Sequence, residues 1–251
     1  MIELINVRKK FDNRWITNGV NLKIPDGKMT IIIGRSGEGK SILLKQIIGL
    51  IKPTIGRILI DDIDTTKIRN RDLVFEKVGY VFQSAALLDS LTIFENVGLP
   101  LLEKGAPHET ALPIVKEKLA LVNLSEEILY KFPSELSGGM QKRVGLARTL
   151  IHNPQIMLYD EPTTGLDPVN ARIVHELMAS MQKKLNLTSV VVSHDIEVFQ
   201  YADYVALLQE GTIKYFDDAS QVWNSNNPDL YRFIRGLAQK PLNTHWCQPT
   251  V

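Results

Sequence analysis

The chain has 251 residues, of which 44% are hydrophobic and 23% charged, and 29 basic against 28 acidic residues leave a net charge of +1. This composition is typical of a soluble globular protein and excludes a disordered or fibrous chain. The balanced charge provides no field that would attract nucleic acid. The single cysteine, Cys247, fits a reducing compartment. Neither an export signal nor a bilayer-spanning stretch is predicted, so a membrane role would depend on a partner protein.

Five β-rich runs occupy the first third of the chain. They are IELINV, VNLKI, MTIII, ILI at 58–60 and VGYVF at 78–82. The dipeptide Asp26-Gly27 between the second and third runs predicts a turn. The run MTIII is continuously apolar, which predicts a strand buried on both faces, as in a parallel sheet flanked by helices.

Helical periodicity replaces the strand pattern from about residue 85 to residue 152, which predicts a helical insert. Buried strands return as QIMLYD and TSVVVS, separated by a helical stretch over 168–185, and this alternation indicates βαβ units. The runs YVALLQ and GTIKYF predict a closing hairpin about Glu210-Gly211. Residues 226–251 are predicted to form a C-terminal extension with one amphipathic segment, PDLYRFIRGLA.

A phosphate-binding motif follows the MTIII strand. It fits the pattern G-x-x-x-x-G-K-[ST] between a buried strand and a helix, and it comprises Gly34, Arg35, Ser36, Gly37, Glu38, Gly39, Lys40 and Ser41. Glycines let successive main-chain N–H groups point at phosphate oxygens, and the helix N-terminus adds positive potential. Lys40 is expected to neutralise the β and γ phosphates, and Ser41 to ligate Mg²⁺. The alternative is a glycine-rich turn that only packs a helix on a strand.

Polar residues follow three other strands at the same predicted edge of the sheet. Asp160 and Glu161 follow IMLY, His194 follows TSVVVS, and Gln83 follows VGYVF. Ligands of parallel sheets bind outside the carboxyl ends of the strands. We expect Asp160 to hold Mg²⁺ and Glu161 to hold the attacking water, either as a base with a raised pKa or as a positioning group. His194 is expected to donate to the γ phosphate, and Gln83 to contact Mg²⁺ or water. Taken alone, the two acids could equally be helix N-caps.

A second glycine turn, Ser137, Gly138 and Gly139, precedes a helical segment but lacks the Lys-Ser of a complete phosphate motif. It presents a helix N-terminus with free N–H groups and a hydroxyl. By itself such a turn is often a simple N-cap. Beside one complete motif, it suggests a half-site that completes the nucleotide site of another molecule.

The motifs GRSGEGKS, Gln83, LSGGM, IMLYDE, TTGLD and His194, in this order, resemble the full motif set of the ATP-binding cassette family. The resemblance extends to about residue 225. It implies an α/β fold of the P-loop NTPase class, with a RecA-like core, an antiparallel β subdomain and an inserted helical subdomain over about 85–152. Residues 1–225 would then form the nucleotide-binding domain, and residues 226–251 the C-terminal extension.

The same resemblance implies head-to-tail pairing with a second copy, in which each ATP lies between one phosphate loop and the other copy's Ser137 turn. Asp167 in TTGLD is then expected to cross the interface. Phe11 is expected to stack on adenine, with Trp15 as the alternative. Because Glu161 and His194 are both present, the resemblance implies a competent ATPase that uses ATP and Mg²⁺.

The segment QSAALLDSLTIFENVGLPLL carries apolar residues that would suit a partner's helix, although packing within the insert explains any single leucine as well. In the family this region receives a transmembrane permease, which implies a location on the cytoplasmic face of the inner (plasma) membrane. The amino-acid sequence of this segment and of the region around LSGGM is similar to that of ATPases of lipid-trafficking systems of the Mla and Mce type. That similarity implies a phospholipid cargo, a small regulatory subunit and a lipid-binding protein as partners.

Three alternatives remain open at the level of the sequence. One is the ATPase of another importer or exporter, for example of amino acids. Another is a non-transport ATPase like that of iron–sulfur cluster assembly, which shares every catalytic motif. The last is a regulator that binds ATP without turnover. We also expect the C-terminal extension to contact a neighbouring subunit or a regulatory partner.

Overall fold

The computed structural model describes residues 1–237. The strands in this range are β1 (Ile2–Phe11), β2 (Arg14–Ile24), β3 (Met29–Ile33), β4 (Ile55–Ile60), β5 (Ile63–Asp64), β6 (Val78–Val81), β7 (Ile156–Asp160), β8 (Thr188–Ser193), β9 (Tyr204–Gln209) and β10 (Thr212–Asp218). The helices are α1 (Lys40–Ile47), α2 (Arg71–Lys77), α3 (Ile93–Leu102), α4 (His108–Leu121), α5 (Gly138–Thr149), α6 (Pro168–Leu185) and α7 (Pro228–Leu237).

The central sheet has six strands in the order β10-β9-β3-β8-β7-β6. The pairs from β9 through β3, β8 and β7 to β6 are parallel, and β10 closes the sheet antiparallel to β9. In this register Ile33 lies opposite Ser193, and Asp160 lies opposite Val192. The carboxyl ends of β3, β7 and β8 therefore meet at one edge, as the sequence predicts.

Both faces of this sheet are covered, which explains why β3 and β7 are buried at every position. Alternate residues of a strand point to opposite faces. Ile31 and Ile33 accordingly belong to one apolar cluster, which includes residues of α3 to α7, whereas Ile32 belongs to a second cluster with β1, β2, β4 and α1. Full burial of one such side chain contributes about 1.5–3 kcal/mol relative to exposure.

A second, antiparallel sheet of four strands has the order β2-β1-β4-β5. The β1–β2 hairpin turns at Asp12 and Asn13, both of which have positive φ, as a tight hairpin turn requires. The hairpin between β9 and β10 turns at Glu210 (φ 51°) and Gly211 (φ 73°), where the sequence predicts it. The turn at Gly211 accepts a hydrogen bond from the N–H of Asn18, which ties the two sheets together.

The chain between β6 and β7 contains α3, α4 and α5, which pack against one another. The helix α3 begins with a capping box, in which the Thr92 hydroxyl accepts from the Glu95 N–H and the Glu95 carboxylate accepts from the Thr92 N–H. The helix α7 lies where the amphipathic segment predicts one, and the rest of the predicted extension lies outside the described residues. Among the helices of residues 1–237, none combines the length and apolarity needed to cross a membrane.

Candidate active site

The loop over residues 34–41 connects β3 to the start of α1 and is pressed against two strands. A side chain at Gly34 would place its Cβ 2.4 Å from the Leu208 carbonyl oxygen of β9, and one at Gly39 would meet Ile16 Cγ2 of β2 at 2.5 Å. Gly39 also has a φ of +92°, a conformation that residues with a Cβ rarely adopt. The loop therefore has a backbone path that only glycine allows at these positions, while its outer residues 35–37 are exposed.

Lys40, the first residue of α1, is 5% exposed. Its ammonium donates to the main-chain carbonyls of Gly34 at 2.8 Å and Arg35 at 3.1 Å. The Glu161 Oε1 atom lies 3.5 Å from the same nitrogen. The loop thus holds a positive charge at its centre, which suits it to bind an anionic ligand.

Ser41 and Asp160 lie together as the sequence predicts. The Ser41 hydroxyl donates to Asp160 Oδ1 at 2.6 Å, and the Tyr80 hydroxyl donates to Asp160 Oδ2 at 2.8 Å. A carboxylate and a hydroxyl supply oxygen ligands of the kind that Mg²⁺ prefers, and substrate phosphates and waters commonly complete its octahedral coordination. These residues therefore fit a Mg²⁺ site. No cluster of three or more His, Cys, Asp or Glu side chains that could hold a different metal occurs in residues 1–237.

Tyr80 is a member of this site that the sequence does not single out. Burial, together with the negative charge of Asp160, raises the pKa of the Tyr80 hydroxyl, so this group stays a proton donor at neutral pH. The contact depends on β6 lying beside β7, with Tyr80 opposite Leu158. Its only signal in the sequence is one hydroxyl group within the otherwise apolar run VGYV.

Glu161 and His194 form the second pair of the site. The Nδ1 atom of His194 lies 3.0 Å from Glu161 Oε2, and the Thr164 hydroxyl donates to the same oxygen at 3.1 Å. The Glu161 side chain is 17% exposed and that of His194 57% exposed. Glu161 has a φ of 46°, so a left-handed turn directs its side chain to partners that Asp160 does not share. The sequence predicts that the Asp160 and Glu161 side chains point in different directions, but the reason it offers is the alternation of side chains along a strand.

Gln83 is exposed and lies two residues beyond the end of β6. Its main-chain carbonyl accepts a hydrogen bond from the Lys142 ammonium. The side-chain amide of Gln83 makes no hydrogen bond to residues of the described range. The contact of this amide with Mg²⁺ or water therefore stays a prediction.

The Ser137 turn caps α5. The Ser137 hydroxyl accepts from the Met140 N–H at 3.3 Å, so the N-cap interpretation of the sequence describes its local structure. Ser137 and Gly138 are exposed. Within residues 1–237, no hydrogen bond joins this turn to the loop over 34–41. The turn and the loop are therefore separate surface features of one chain.

Asp167 caps α6 and is coupled to the Ser137 turn through Asn170. Its Oδ1 accepts from the N–H groups of Val169 and Asn170, both at 3.1 Å, and its Oδ2 accepts from the Asn170 amide at 2.6 Å. These hydrogen bonds, the Asn170 amide first, lower the pKa of the Asp167 carboxyl. A Cβ at Gly139 would meet the Asn170 amide oxygen at 2.6 Å. The exposed Asp167 carboxylate and Ser137 turn thus belong to one packed unit.

The two aromatic candidates lie near the end of the β1–β2 hairpin. Phe11 is 41% exposed with the Lys9 ammonium 4.7 Å from its ring centre, and Trp15 is 39% exposed with the Lys10 ammonium at 5.6 Å. Ile16, which follows Trp15, contacts the phosphate loop at Gly39. Both rings therefore stay candidates for the adenine contact.

Comparison with known proteins identifies relatives along most of the chain. The family described as ABC transporter matches residues 17–164. The intermembrane phospholipid transport system ATP-binding protein MlaF of Haemophilus influenzae is 37% identical over 96% of this chain and 93% of its own length. The methionine import ATP-binding protein MetN of Carboxydothermus hydrogenoformans is 38% identical over 90% of this chain and 68% of its own length.

A solved structure supports the same relationship. A dimeric ATP-binding cassette in a post-hydrolysis state with bound ADP and Pi superimposes with a TM-score of 0.78 and 35% identity, over 87% of this chain and 99% of that chain. The predicted α/β fold of the P-loop class is thereby confirmed.

Proposed function

This chain belongs to the ABC transporter family and is an ATP-binding, ATP-hydrolysing transporter subunit, and we propose that the loop over 34–41, Asp160, Glu161 and His194 form its hydrolytic centre. The observation that carries the proposal is the connected set of contacts at one sheet edge. Lys40 lies beside Glu161, Glu161 contacts His194, and Ser41 binds Asp160.

Each residue of this set has a distinct role in the proposal. The loop amides and Lys40 bind the β and γ phosphates, while Ser41 and Asp160, with Gln83, hold Mg²⁺. The bound Mg²⁺ supplies charge neutralisation at the phosphates. Glu161 orients the attacking water and accepts its proton, and His194 fixes the Glu161 carboxylate and donates to the γ phosphate.

Two substitutions test these roles. Glu161→Gln should lower ATP turnover by at least ~100-fold while ATP stays bound, because it removes a contact made to the reacting water and spares the phosphate cradle. Lys40→Ala should abolish Mg-ATP binding itself. Phosphate release and isothermal titration with Mg-ATP measure the two effects, with Glu176→Gln on the exposed face of α6 as the control. Full turnover in Glu161→Gln would refute the assignment.

We further propose that two copies of the chain enclose ATP between the loop of one and the Ser137 turn and Asp167 of the other. The exposure of Ser137, Gly138 and Asp167 supports this proposal, as does the dimeric state of the similar cassette. The adenine would stack on Phe11, or on Trp15.

We propose that the transported cargo is phospholipid and that the chain binds a transmembrane permease on the cytoplasmic face of the inner membrane. The likeness to MlaF, which covers nearly the full length of both chains, supports the cargo. Phe82 and Leu88, which are 42% and 46% exposed in the segment that follows β6, support a surface for a partner's helix. A regulatory subunit and a lipid-binding protein would complete the assembly.

The cargo is tested on the complex that co-purifies with the tagged full chain in mild detergent. We expect an integral membrane protein in the complex, phospholipid recovered by mass spectrometry, and ATP turnover that rises when phospholipid is added. Turnover that responds to methionine and not to phospholipid would instead identify an amino-acid importer. Active ATPase that purifies without any membrane protein would indicate a non-transport ATPase.

A further inference from the structure

Glu38 is the one acidic residue of the phosphate loop over 34–41. A loop that binds anions through main-chain N–H groups and a lysine gains nothing from a carboxylate beside its ligand, because like charges repel. The motif leaves this position free and does not require an acid there. The presence of Glu38 therefore needs a reason within the fold of this chain.

The Glu38 carboxylate is bound to the turn between β9 and β10. Its Oε2 atom accepts a hydrogen bond from the main-chain N–H of Glu210 at 2.7 Å, and its side chain is partly buried there. A hydrogen bond from an N–H group to a carboxylate is stronger than one between neutral groups. Glu38 thus ties the second half of the phosphate loop to the hairpin.

The turn that binds Glu38 is itself fixed in place. A Cβ at Gly211 would lie 2.8 Å from the Ile16 carbonyl oxygen and 3.0 Å from the Asn18 nitrogen, so the turn packs directly on β2. Ile16 also contacts the loop at Gly39. The loop, β2 and the turn therefore contact one another in pairs. Within residues 1–237, Glu38 is the only side chain that joins the loop to the turn by a hydrogen bond.

The charge of Glu38 is not neutralised by a neighbouring cation. Lys40 has its ion pair with Glu161, at 3.5 Å, and no Lys, Arg or His side chain of residues 1–237 forms a salt bridge with the Glu38 carboxylate. The one N–H group that the carboxylate binds leaves its net charge in place. A nucleotide in the loop would therefore lie near an uncompensated negative charge, two residues before Lys40.

We propose that Glu38 is a positioning residue that sets the nucleotide affinity of the phosphate loop through two opposing effects. Its hydrogen bond to the Glu210 N–H holds the loop in the binding conformation before nucleotide arrives, which favours binding. Its charge repels the phosphates, which weakens binding and speeds the release of product. This inference rests on the proposed function, in which the loop binds the phosphates of ATP.

Two substitutions separate the two effects. Glu38→Gln removes the charge and keeps a side-chain oxygen that accepts from the Glu210 N–H, whereas Glu38→Ala removes both. We expect Glu38→Gln to bind Mg-ADP at least about threefold more tightly than the parent, and Mg-ATP, which carries one more negative charge, more tightly still. Glu38→Ala should bind both nucleotides at least about threefold more weakly than Glu38→Gln, because the loop loses its hydrogen bond to the turn.

Isothermal titration of the full chain measures these affinities, with Glu161→Gln as the parent so that bound ATP is not turned over. The gain in Glu38→Gln should shrink as the ionic strength rises from about 0.01 M to about 1 M, because salt screens the charge. The difference between Glu38→Gln and Glu38→Ala should persist, because salt leaves the hydrogen bond intact. A purely structural role for Glu38 would weaken binding in both variants.

Glu210 offers a matched control, because it carries the same charge on the same turn. Its side chain is 74% exposed and lies 3.4 Å from the Lys214 ammonium, and only its main chain contacts Glu38. Glu210→Gln should therefore leave both affinities within about twofold of those of the parent. An equal gain in Glu210→Gln and Glu38→Gln would show that the overall charge, and not the position of Glu38, sets the affinity.

The outcomes separate the inference from the proposed function. If Lys40→Ala binds Mg-ATP as tightly as the parent, the proposed function fails. Loss of binding in Lys40→Ala, together with unchanged or weaker binding in Glu38→Gln, would overturn the inference alone, and so would equal affinities in Glu38→Gln and Glu38→Ala. Thermal melting shows whether each variant folds. If Glu38→Ala does not fold, the comparison of Glu38→Gln with the parent and its salt dependence decide the question.

Discussion

Tyr80 and Tyr159 lie on neighbouring strands of the central sheet, but their hydroxyl groups have different surroundings. Tyr80 donates to Asp160 at 2.8 Å, whereas the fully buried hydroxyl of Tyr159 has only the Ser189 hydroxyl near it and forms no hydrogen bond of ordinary geometry within residues 1–237. A buried polar group without a hydrogen bond destabilises the folded state, whereas a hydrogen bond to that group offsets the cost of burying it. The two tyrosines therefore form a natural pair in which the same chemical change has opposite consequences.

We predict that Tyr80→Phe lowers the free energy of unfolding by about 2 kcal/mol and raises the Mg²⁺ concentration needed for half-maximal turnover, because Asp160 loses the group that fixes it. Tyr159→Phe should leave both quantities unchanged or raise stability slightly. Urea unfolding and a Mg²⁺ titration of ATP turnover measure these effects. Equal destabilisation by the two substitutions would contradict this account.

The sequence predicts the residues of the site to the extent that they follow buried strands. Asp160, Glu161 and His194 lie at positions where an apolar run ends, and Lys40 lies in the glycine motif that follows another such run, so strand prediction together with that motif brings them to one edge. Tyr80 depends on which strands are neighbours, and Lys142 depends on the path of an irregular segment. Such contacts arise from tertiary packing and leave no periodic pattern in the sequence.

At the scale of secondary-structure elements, α3 is the helix whose start is most fully specified by its own side chains. Its capping box contains Thr92 and Glu95, with the Glu95 carboxylate 2.7 Å from the Thr92 nitrogen and 2.8 Å from the Thr92 hydroxyl. These hydrogen bonds, from the main chain first and the hydroxyl second, lower the pKa of Glu95. The stability of the first turn of α3 therefore depends on pH.

The sign of this coupling follows from the lowered pKa. The stabilisation that ionised Glu95 provides is fully present above its unfolded pKa of about 4.3, and it is lost as the pH falls through the lower pKa of the folded state. We predict that the melting temperature of the chain exceeds that of Glu95→Gln near pH 6 and that the gap narrows on acidification toward pH 3. A gap that stays constant or widens over this range would contradict the prediction.

Elements that carry polar residues on an exposed hairpin are harder to predict than the buried strands. The sequence indicates a strand over IELINV, but β1 continues to Phe11 through Arg8, Lys9 and Lys10, with irregular pairing against β2 along the way. The register shifts interrupt the alternation on which strand prediction depends. The short strand β5 and the helix α2 are missed for the related reason that few of their residues are buried.

At the scale of the whole molecule, the phosphate loop and the Ser137 turn each form half of a nucleotide site in the proposed pair of chains. In a two-fold pair, a chain with a damaged loop still offers an intact turn to its partner, and the converse also holds. A variant with a damaged loop and a variant with a damaged turn should therefore restore each other's activity when they pair.

We predict that Lys40→Ala and Ser137→Arg are each inactive alone and that mixing them in equal amounts restores about a quarter of the wild-type turnover, since half of the pairs then contain one intact composite site. Phosphate release from the mixture, compared with that of each variant, measures the effect. A mixture as inactive as its components would exclude nucleotide sites shared between copies.

The contact between Ile16 and Gly39 has a practical consequence for the neighbouring residue. Trp15 is one of only three tryptophans in the chain, and it is partly open to solvent where the hairpin meets the phosphate loop. Indole emission responds to changes in polarity and to stacking on a purine base. We therefore predict that the emission of Trp15 changes when nucleotide binds, which would report ligand occupancy in real time without labelling, while Trp223 beside Phe199 supplies a separate background signal.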